Sequence, residues 1–193
     1  MRQRAPRLNF LALAASIAII LGAVAIGIFG TPLFTGPSDS VTPIADIKSY
    51  IANEHVRCAS DVNVRQQKVK YREPAVVERE LTLLLGEPLR VIDLSSAGFQ
   101  FVGGGPCHVP PAGSPSGHLI YQAANGRMAS VFVEPYQPGV ALQPGRVVTD
   151  VKVGLSGASA IWTDESLIYM VVVCNSTDLD AVTRLTQSSS FNR

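Results

Sequence analysis

Residues 118–133 read H-L-I-Y-Q-A-A-N-G-R-M-A-S-V-F-V. Two runs rich in aliphatic, aromatic and β-branched residues flank the dipeptide Asn125-Gly126. Asn-Gly between such runs is the strongest short-range signal for a hairpin, because both residues tolerate the positive φ angles that a tight turn needs. The stretch therefore predicts two antiparallel strands joined by a short turn.

The downstream sequence repeats this arrangement. Ser159–Thr163 and Leu167–Cys174 flank the turn residues 164–166, and an earlier apolar run lies at 99–102. Aromatic residues recur on these strands with the period of two that a half-buried sheet requires. We expect core packing for four of them: Tyr121, Phe132, Trp162 and Tyr169.

Helical patterns lie mostly before these strands. Pro74 starts a segment of helical spacing that stops at Gly86, and residues 44–55 show the same spacing. A shorter amphipathic stretch, 178–185, follows the last strand, while residues 57–72 do not distinguish a loop from a helix. Because tight turns make strands antiparallel, and helices grouped mostly before them are expected to cover one face, the predicted fold class is α+β.

The N-terminal region predicts a membrane span. Residues 8–38 contain no charged side chain, and residues 10–30 are apolar or small apart from Ser16, which matches the roughly 20 residues needed to cross a bilayer. A cleavable signal peptide ending near Ala23-Val24-Ala25 is the competing interpretation. The predicted organisation is a stub (1–7), a transmembrane helix (8–30), a linker (31–42) and an α+β domain (43–187).

Charge predicts the orientation and excludes one class of partner. Arg2, Arg4 and Arg7 precede the apolar run, so the positive-inside rule places the N-terminus in the cytoplasm and the domain outside. Without these three, the chain has 13 of its 16 basic residues and all 15 acidic ones, so the remainder has a net charge of −2. Such a balance has no basic footprint for nucleic acid.

Residues 101–108, F-V-G-G-G-P-C-H, raise the question of a phosphate site. A phosphate cradle needs glycines at fixed offsets and a helix that starts immediately after them. The prolines that follow at 106, 110 and 111 exclude such a helix. The three glycines therefore predict the end of a strand, which bends or bulges where side chains would be in the way.

The three cysteines leave their pairing open. In an oxidising compartment disulfides are the default, and three thiols leave one over. We favour Cys58 with Cys107, while Cys107 with Cys174 and the absence of any disulfide remain alternatives.

A metal site is a second interpretation of the same residues. His55-x-x-Cys58 places two donors one helical turn apart, and Cys107-His108 adds two more, so that a tetrahedral Cys₂His₂ set can be drawn. The spacing matches none of the common zinc-finger patterns, and we expect no bound cofactor. His118, at the start of a predicted strand, is expected to be a surface residue or a hydrogen-bonded polar residue. No nucleophile motif is present, so the chain is expected to be non-catalytic.

Several runs resemble the extracytoplasmic domain of bacterial transmembrane anti-sigma factors, a group of transmembrane transcriptional regulators. The similar runs are D-L-S-S-A-G-F-Q-F-V-G-G-G at 93–105, the hairpin 118–133, and the Trp162 and Tyr169 strands. His55-x-x-Cys58-Ala with the later Cys107 is similar to a subset of that group. The resemblance covers roughly residues 88–174.

The resemblance implies a membrane-anchored sensor domain in the bacterial inner membrane, with its folded part in the periplasm. Such proteins also carry a cytoplasmic zinc-binding domain that holds the sigma factor, whereas only about seven residues precede the span here. We therefore expect a regulatory binding module that acts through a protein partner in the membrane or periplasm. The loop 135–145 or the sheet face is the expected contact surface. A periplasmic redox, haem or metal protein using Cys58, Cys107 and the nearby histidines is the alternative.

Overall fold

The computed structural model describes residues 44–109, 114–137, 140, 142–153, 157–164 and 166–190, and these contain four α-helices and six β-strands. The predicted α+β class is confirmed. The helices are α1 (Ile44–Ser60), α2 (Val62–Lys68), α3 (Pro74–Leu85) and α4 (Leu179–Ser190). The strands are β1 (Phe99–His108), β2 (Pro115–Ala123), β3 (Met128–Pro135), β4 (Val148–Val153), β5 (Gly157–Thr163) and β6 (Leu167–Val173).

All six strands form one antiparallel sheet in the order β1-β2-β3-β6-β5-β4. Each half is a meander of three consecutive strands, and the halves join where β3 pairs with β6 from Ala129↔Val173 to Pro135↔Leu167. Both predicted hairpins are present, with β2 paired to β3 and β5 to β6. The edge strand β4 has no counterpart among the predicted elements.

Helices cover both faces of this sheet, so the expectation of a single covered face is wrong. On one face, α3 packs on β1 and β2 and α4 packs on β5 and β6. On the other face, α1 crosses β3 and β6, and α2 lies against β1. The sequence reason lies in β6, whose unbroken run L-I-Y-M-V-V-V is apolar at both alternating sets of positions and is buried throughout.

The aromatic residues form the centre of the core, as predicted. Tyr121, Phe132, Trp162 and Tyr169 are each at most 2% exposed. Trp162 and Tyr169 stack with ring centroids 5.5 Å apart on the α3/α4 face, and Phe132 lies on the α1 face. Alternation along the strands thus divides the aromatic residues between two cores.

The glycine run lies in the middle of β1 and not at its end. The β1–β2 register shifts between Phe101 and Gly103, which marks a bulge, and β1 continues to His108. Beside the bulge, the Tyr71 N–H donates to the Gly104 carbonyl and the Gly104 N–H donates to the Tyr71 carbonyl, both at 2.9 Å. The missing side chains allow the segment before α3 to cover the outer edge of β1. The predicted bulge is confirmed, and the glycines are structural.

The region left open at 57–72 resolves into the end of α1, the short helix α2 and this bridge at Tyr71. Asp61 caps α2 by accepting from the N–H groups of Asn63 and Val64. The loop 135–145, one of the two expected contact surfaces, is partly buried. Leu142 is 6% exposed and packs in the core on the α1 face.

The predicted stub, membrane helix and linker lie outside the described residues, as does the signal-peptide alternative. No helix within the described residues has the length and hydropathy of a membrane span.

Gly103→Ala is expected to destabilise the domain by about 2 kcal/mol or more. Gly103 has φ of 149°, and an added Cβ would lie 2.6 Å from the Tyr71 carbonyl oxygen. Urea unfolding followed by circular dichroism measures the loss. Gly126→Ala is the matched control, because Gly126 also has a positive φ but its Cβ would meet nothing within 4 Å. Equal losses in the two variants would contradict the bridge as the cause.

Candidate functional site

A buried polar network lies between α1 and the sheet. Along α1, Ile47 and Ile51 insert into the apolar core, and one to two turns later Glu54, His55 and Cys58 continue the same stripe. All five side chains are at most 3% exposed. The first half of the buried stripe is therefore apolar, and the second half carries titratable groups into the interior.

Four side chains form one hydrogen-bonded chain. His55 Nδ1 lies 2.9 Å from Ser130 Oγ, and Ser130 Oγ lies 3.0 Å from His118 Nε2. At the other end, His55 Nε2 lies 3.2 Å from Cys174 Sγ. The chain thus connects α1 to β3, to β2 and to the residue that follows β6.

The Ser130 hydroxyl couples the tautomers of the two imidazoles. A hydroxyl has one hydrogen to donate, so Ser130 donates to one imidazole nitrogen and accepts from the other. If Ser130 donates to His118, His55 donates from Nδ1 and its Nε2 is free to accept from the Cys174 thiol. If Ser130 donates to His55, His118 donates from Nε2 and His55 Nε2–H points at the sulfur. A change at Cys174 is therefore transmitted to His118.

Both imidazoles are neutral at pH 7. Burial lowers the pKa of His55 to about 4. Burial also lowers the pKa of His118 to about 3, with smaller contributions from the charges of His55 and Lys68. His118 stacks on Phe132 with ring centroids 4.1 Å apart, and its Nδ1 has no hydrogen-bond partner. The prediction of a surface position for His118 is wrong, and its alternative, a hydrogen-bonded polar residue, is confirmed.

An ion-pair group borders the network where α1 meets α2. Glu54, 3% exposed, lies 2.5 Å from Lys68 Nζ through Oε1 and 3.1 Å from Arg57 Nη1 through Oε2. A buried carboxylate without such partners would be strongly destabilising. The Lys68 contact holds α2 against α1, and the Arg57 contact lies within α1.

A second buried carboxyl lies on the same face of the sheet. Glu134 follows Phe132 by two positions on β3, is 2% exposed, and its Oε2 has no hydrogen-bond partner. Burial raises the pKa of Glu134 to about 7. This carboxyl is therefore largely protonated just below neutral pH.

The three cysteines are not joined by a disulfide in the structure. The favoured pair, Cys58 with Cys107, is not bonded, and the two side chains pack in different apolar clusters. Cys58 packs with Ile120 and Met128, whereas Cys107 packs in the α1-face core and lies 3.9 Å from the Tyr50 hydroxyl. Burial raises the pKa of Cys58 to about 11 and also raises that of Cys107.

The predicted metal set is not assembled. His108 is exposed, His55 contacts Ser130 and Cys174, and Cys58 and Cys107 occupy separate clusters. Within the part of the chain that the structure describes, no group of three or more His, Cys, Asp or Glu side chains is arranged to hold a metal ion.

Of the predicted site residues, the structure places only His55 in the hydrogen-bonded chain. Ser130 and Cys174 were missed as members of that chain, and the separate buried carboxyl of Glu134 was missed as well. The predicted hairpin could have shown that His118 and Ser130 are neighbours. An Asn-Gly turn between the two strands puts His118 and Ser130 on the same face, and the structure pairs them diagonally through His118↔Phe132 and Ile120↔Ser130. Contacts with Cys174 and His55 have no local signal, because those residues are 119 positions apart.

No protein-family model matches the chain, and neither a curated protein nor a solved structure is similar to it.

Ser130→Ala is expected to lower the free energy of unfolding by about 1–3 kcal/mol, because it leaves both imidazoles without their shared partner. Chemical denaturation measures the change. Ser159→Ala is the matched control, since Ser159 is a fully buried serine on β5 whose Oγ has no partner. Its removal should be neutral or slightly stabilising. A Ser130 variant as stable as the Ser159 variant would contradict the hydrogen bonds from Ser130 to the two imidazoles.

Acid should destabilise the domain between about pH 6.5 and 5. His55 and His118 have folded pKa values below the ordinary 6.5, so the unfolded chain binds their protons first and stability falls as pH falls. Glu134 acts oppositely, because its folded pKa lies above the ordinary 4.5 and the folded state holds the proton. Glu134→Gln removes this opposing effect.

Unfolding free energies measured at several pH values test this balance. With one net proton taken up on unfolding, the wild-type slope is about 1.4 kcal/mol per pH unit at most. The Glu134→Gln slope should be roughly twice as steep. A variant slope that is equal or shallower would contradict the burial of these three groups in their neutral forms.

Proposed function

We propose that the chain is a single-pass, membrane-anchored regulatory module whose periplasmic α+β domain acts through a protein partner. One observation carries the proposal. The uncharged run at 8–38, preceded by three arginines, is followed directly by one compact unit, Val41–Arg193. A basic stub, a bilayer-length apolar segment and a separate folded domain are the parts that a membrane-anchored module requires.

The use of the polar side chains supports a binding module over an enzyme. His55, Ser130 and His118 lie beneath α1 and are engaged with one another. Their hydrogen bonds dock a helix on a sheet, which is a structural use of groups that an enzyme would present to a substrate. The resemblance to the outer domain of anti-sigma factors points to the same class of function.

The first helix is the element through which such a module would respond. α1 begins at Ile44, directly after the linker in sequence, and it carries both the apolar and the polar contacts to the sheet. A partner or signal that loosens these contacts would act on the element nearest to the membrane segment along the chain. This is the basis for regulation in the proposal.

Of the two contact surfaces expected from the sequence, the sheet face and the loop 135–145, one remains. The sheet face is excluded, because helices cover both sides of the sheet. The loop 135–145 remains, with Leu142 anchored in the core and the neighbouring Gln143 exposed. We assign partner binding to this loop.

The alternative redox, haem or metal protein gains no support in its original form. It required Cys58 and Cys107 to act with His55 or His108, and no group of three such donors is arranged to hold a metal ion among the described residues. His108 is exposed, and His55 contacts Ser130 and Cys174 instead.

A photo-crosslinking residue placed at Gln143 in the full-length chain, expressed in membranes, is expected to give a discrete adduct of higher mass than the monomer. The same residue at Asn125, which is exposed in the β2–β3 turn, is the matched control and should give none. Monomer alone at both positions would count against partner binding by the loop.

The membrane part of the proposal is tested separately with the same cells. A tag placed after Arg193 should be removed by protease added to spheroplasts. Protection of the tag would overturn the orientation, whatever the crosslinking shows.

A further inference from the structure

Cys174 differs from the other two cysteines in its surroundings. It follows β6 directly and is partly exposed, whereas Cys58 and Cys107 are 1% and 4% exposed. Its Sγ lies 3.2 Å from the imidazole Nε2 of His55. A thiol within hydrogen-bond reach of an imidazole that is itself held by a third group is the arrangement that activates cysteine nucleophiles.

His55 is held in place by buried partners. Ser130 fixes its Nδ1, and His118 fixes Ser130 from the neighbouring strand. Ser130 and His118 are each 1% exposed and lie on strands in the middle of the sheet. The orientation of the imidazole toward the sulfur is thus determined by rigid elements.

We propose that Cys174 is a thiol modification site for peroxides and similarly small electrophiles, in which His55 accepts the thiol proton and Ser130 and His118 are positioning residues. The site does not depend on membrane attachment or on a protein partner. If the proposed function holds, modification of Cys174 is a signal that the domain detects, because its partner His55 belongs to the helix that follows the linker.

The reaction with hydrogen peroxide balances with these groups alone. The Cys174 sulfur attacks one peroxide oxygen, an S–O bond forms and the O–O bond breaks. The thiol proton passes to His55 Nε2 and then to the departing hydroxide, which leaves as water. Sulfur is oxidised by two electrons to the sulfenic acid, and the peroxide is reduced.

The network can also accommodate the charged state formed during this transfer. When His55 carries both protons, its Nδ1–H points at Ser130 Oγ and its Nε2–H at the thiolate of Cys174. Ser130 then donates its own hydrogen to His118 Nε2. Each new donor has an acceptor already in place. Burial keeps His55 neutral at rest and also makes it a weaker base. Its capacity to accept the proton therefore rests on the hydrogen bonds that Ser130 and the thiolate make to the charged form.

The test compares each cysteine in the folded chain with the same cysteine in the unfolded chain. The full-length protein in detergent, with and without urea, is treated with hydrogen peroxide and a dimedone trap, and mass spectrometry measures the rate at each thiol. Partial exposure alone can only make Cys174 slower when folded than when unfolded. We expect it to be about tenfold faster when folded, and Cys58 and Cys107 to be slower.

Variants then separate activation from structure. His55→Gln should bring the folded rate at Cys174 to the unfolded rate or below. Ser130→Ala should lower it several-fold, and Ser130→Thr, which keeps a hydroxyl, should restore it. His108→Gln, an exposed histidine outside the network, is the control and should change nothing.

A folded rate at Cys174 equal to or below the unfolded rate would overturn the proposal without any variant. An unchanged rate in a folded His55→Gln protein would do so as well. If that variant does not fold, the comparison within the wild-type chain still decides.

Discussion

The pairing of β3 with β6 is the constraint on which the rest of the domain depends. It joins two meanders into one sheet, and it places two strands at the centre whose residues are buried on both faces. Val131, Val133, Tyr169 and Val171 need cover on one side, and Phe132, Met170 and Val172 need it on the other. Burying these side chains contributes roughly 1.5–3 kcal/mol each, so neither face can be left open to water.

The two faces are covered in different ways. α3 and α4 bring apolar side chains such as Val77, Leu81 and Val182 to one face. α1 covers the other face with isoleucines in its first half and with Glu54 and His55 in its second half. An apolar helix would dock there without this desolvation cost, because each buried polar group needs a hydrogen-bond partner. The hydrogen bonds from His55 through Ser130 to His118 supply those partners and specify one orientation of the helix.

The buried titratable side chains of α1 therefore lie at the contact between this helix and the sheet, where a change in their protonation affects helix docking. His55 belongs at once to the docking of α1 and to the surroundings of the Cys174 thiol. A proton or an oxygen atom added there changes which groups donate and which accept along the whole chain. Side-chain chemistry and helix docking are therefore coupled through His55.

The sequence by itself determined both hairpins, the helix at Pro74, the aromatic core and the structural role of the glycines, because turn chemistry and side-chain periodicity act over a few residues. Only the tertiary structure decided that α1 covers the second face, that residue 71 bridges to Gly104, and that His55 meets Cys174 instead of Cys107. Contacts between residues that are far apart in the sequence depend on where whole elements pack, and no local pattern encodes that choice. For this reason both hairpins and the helix at Pro74 were predictable, whereas α2, β4 and the buried network were visible only once the chain was folded.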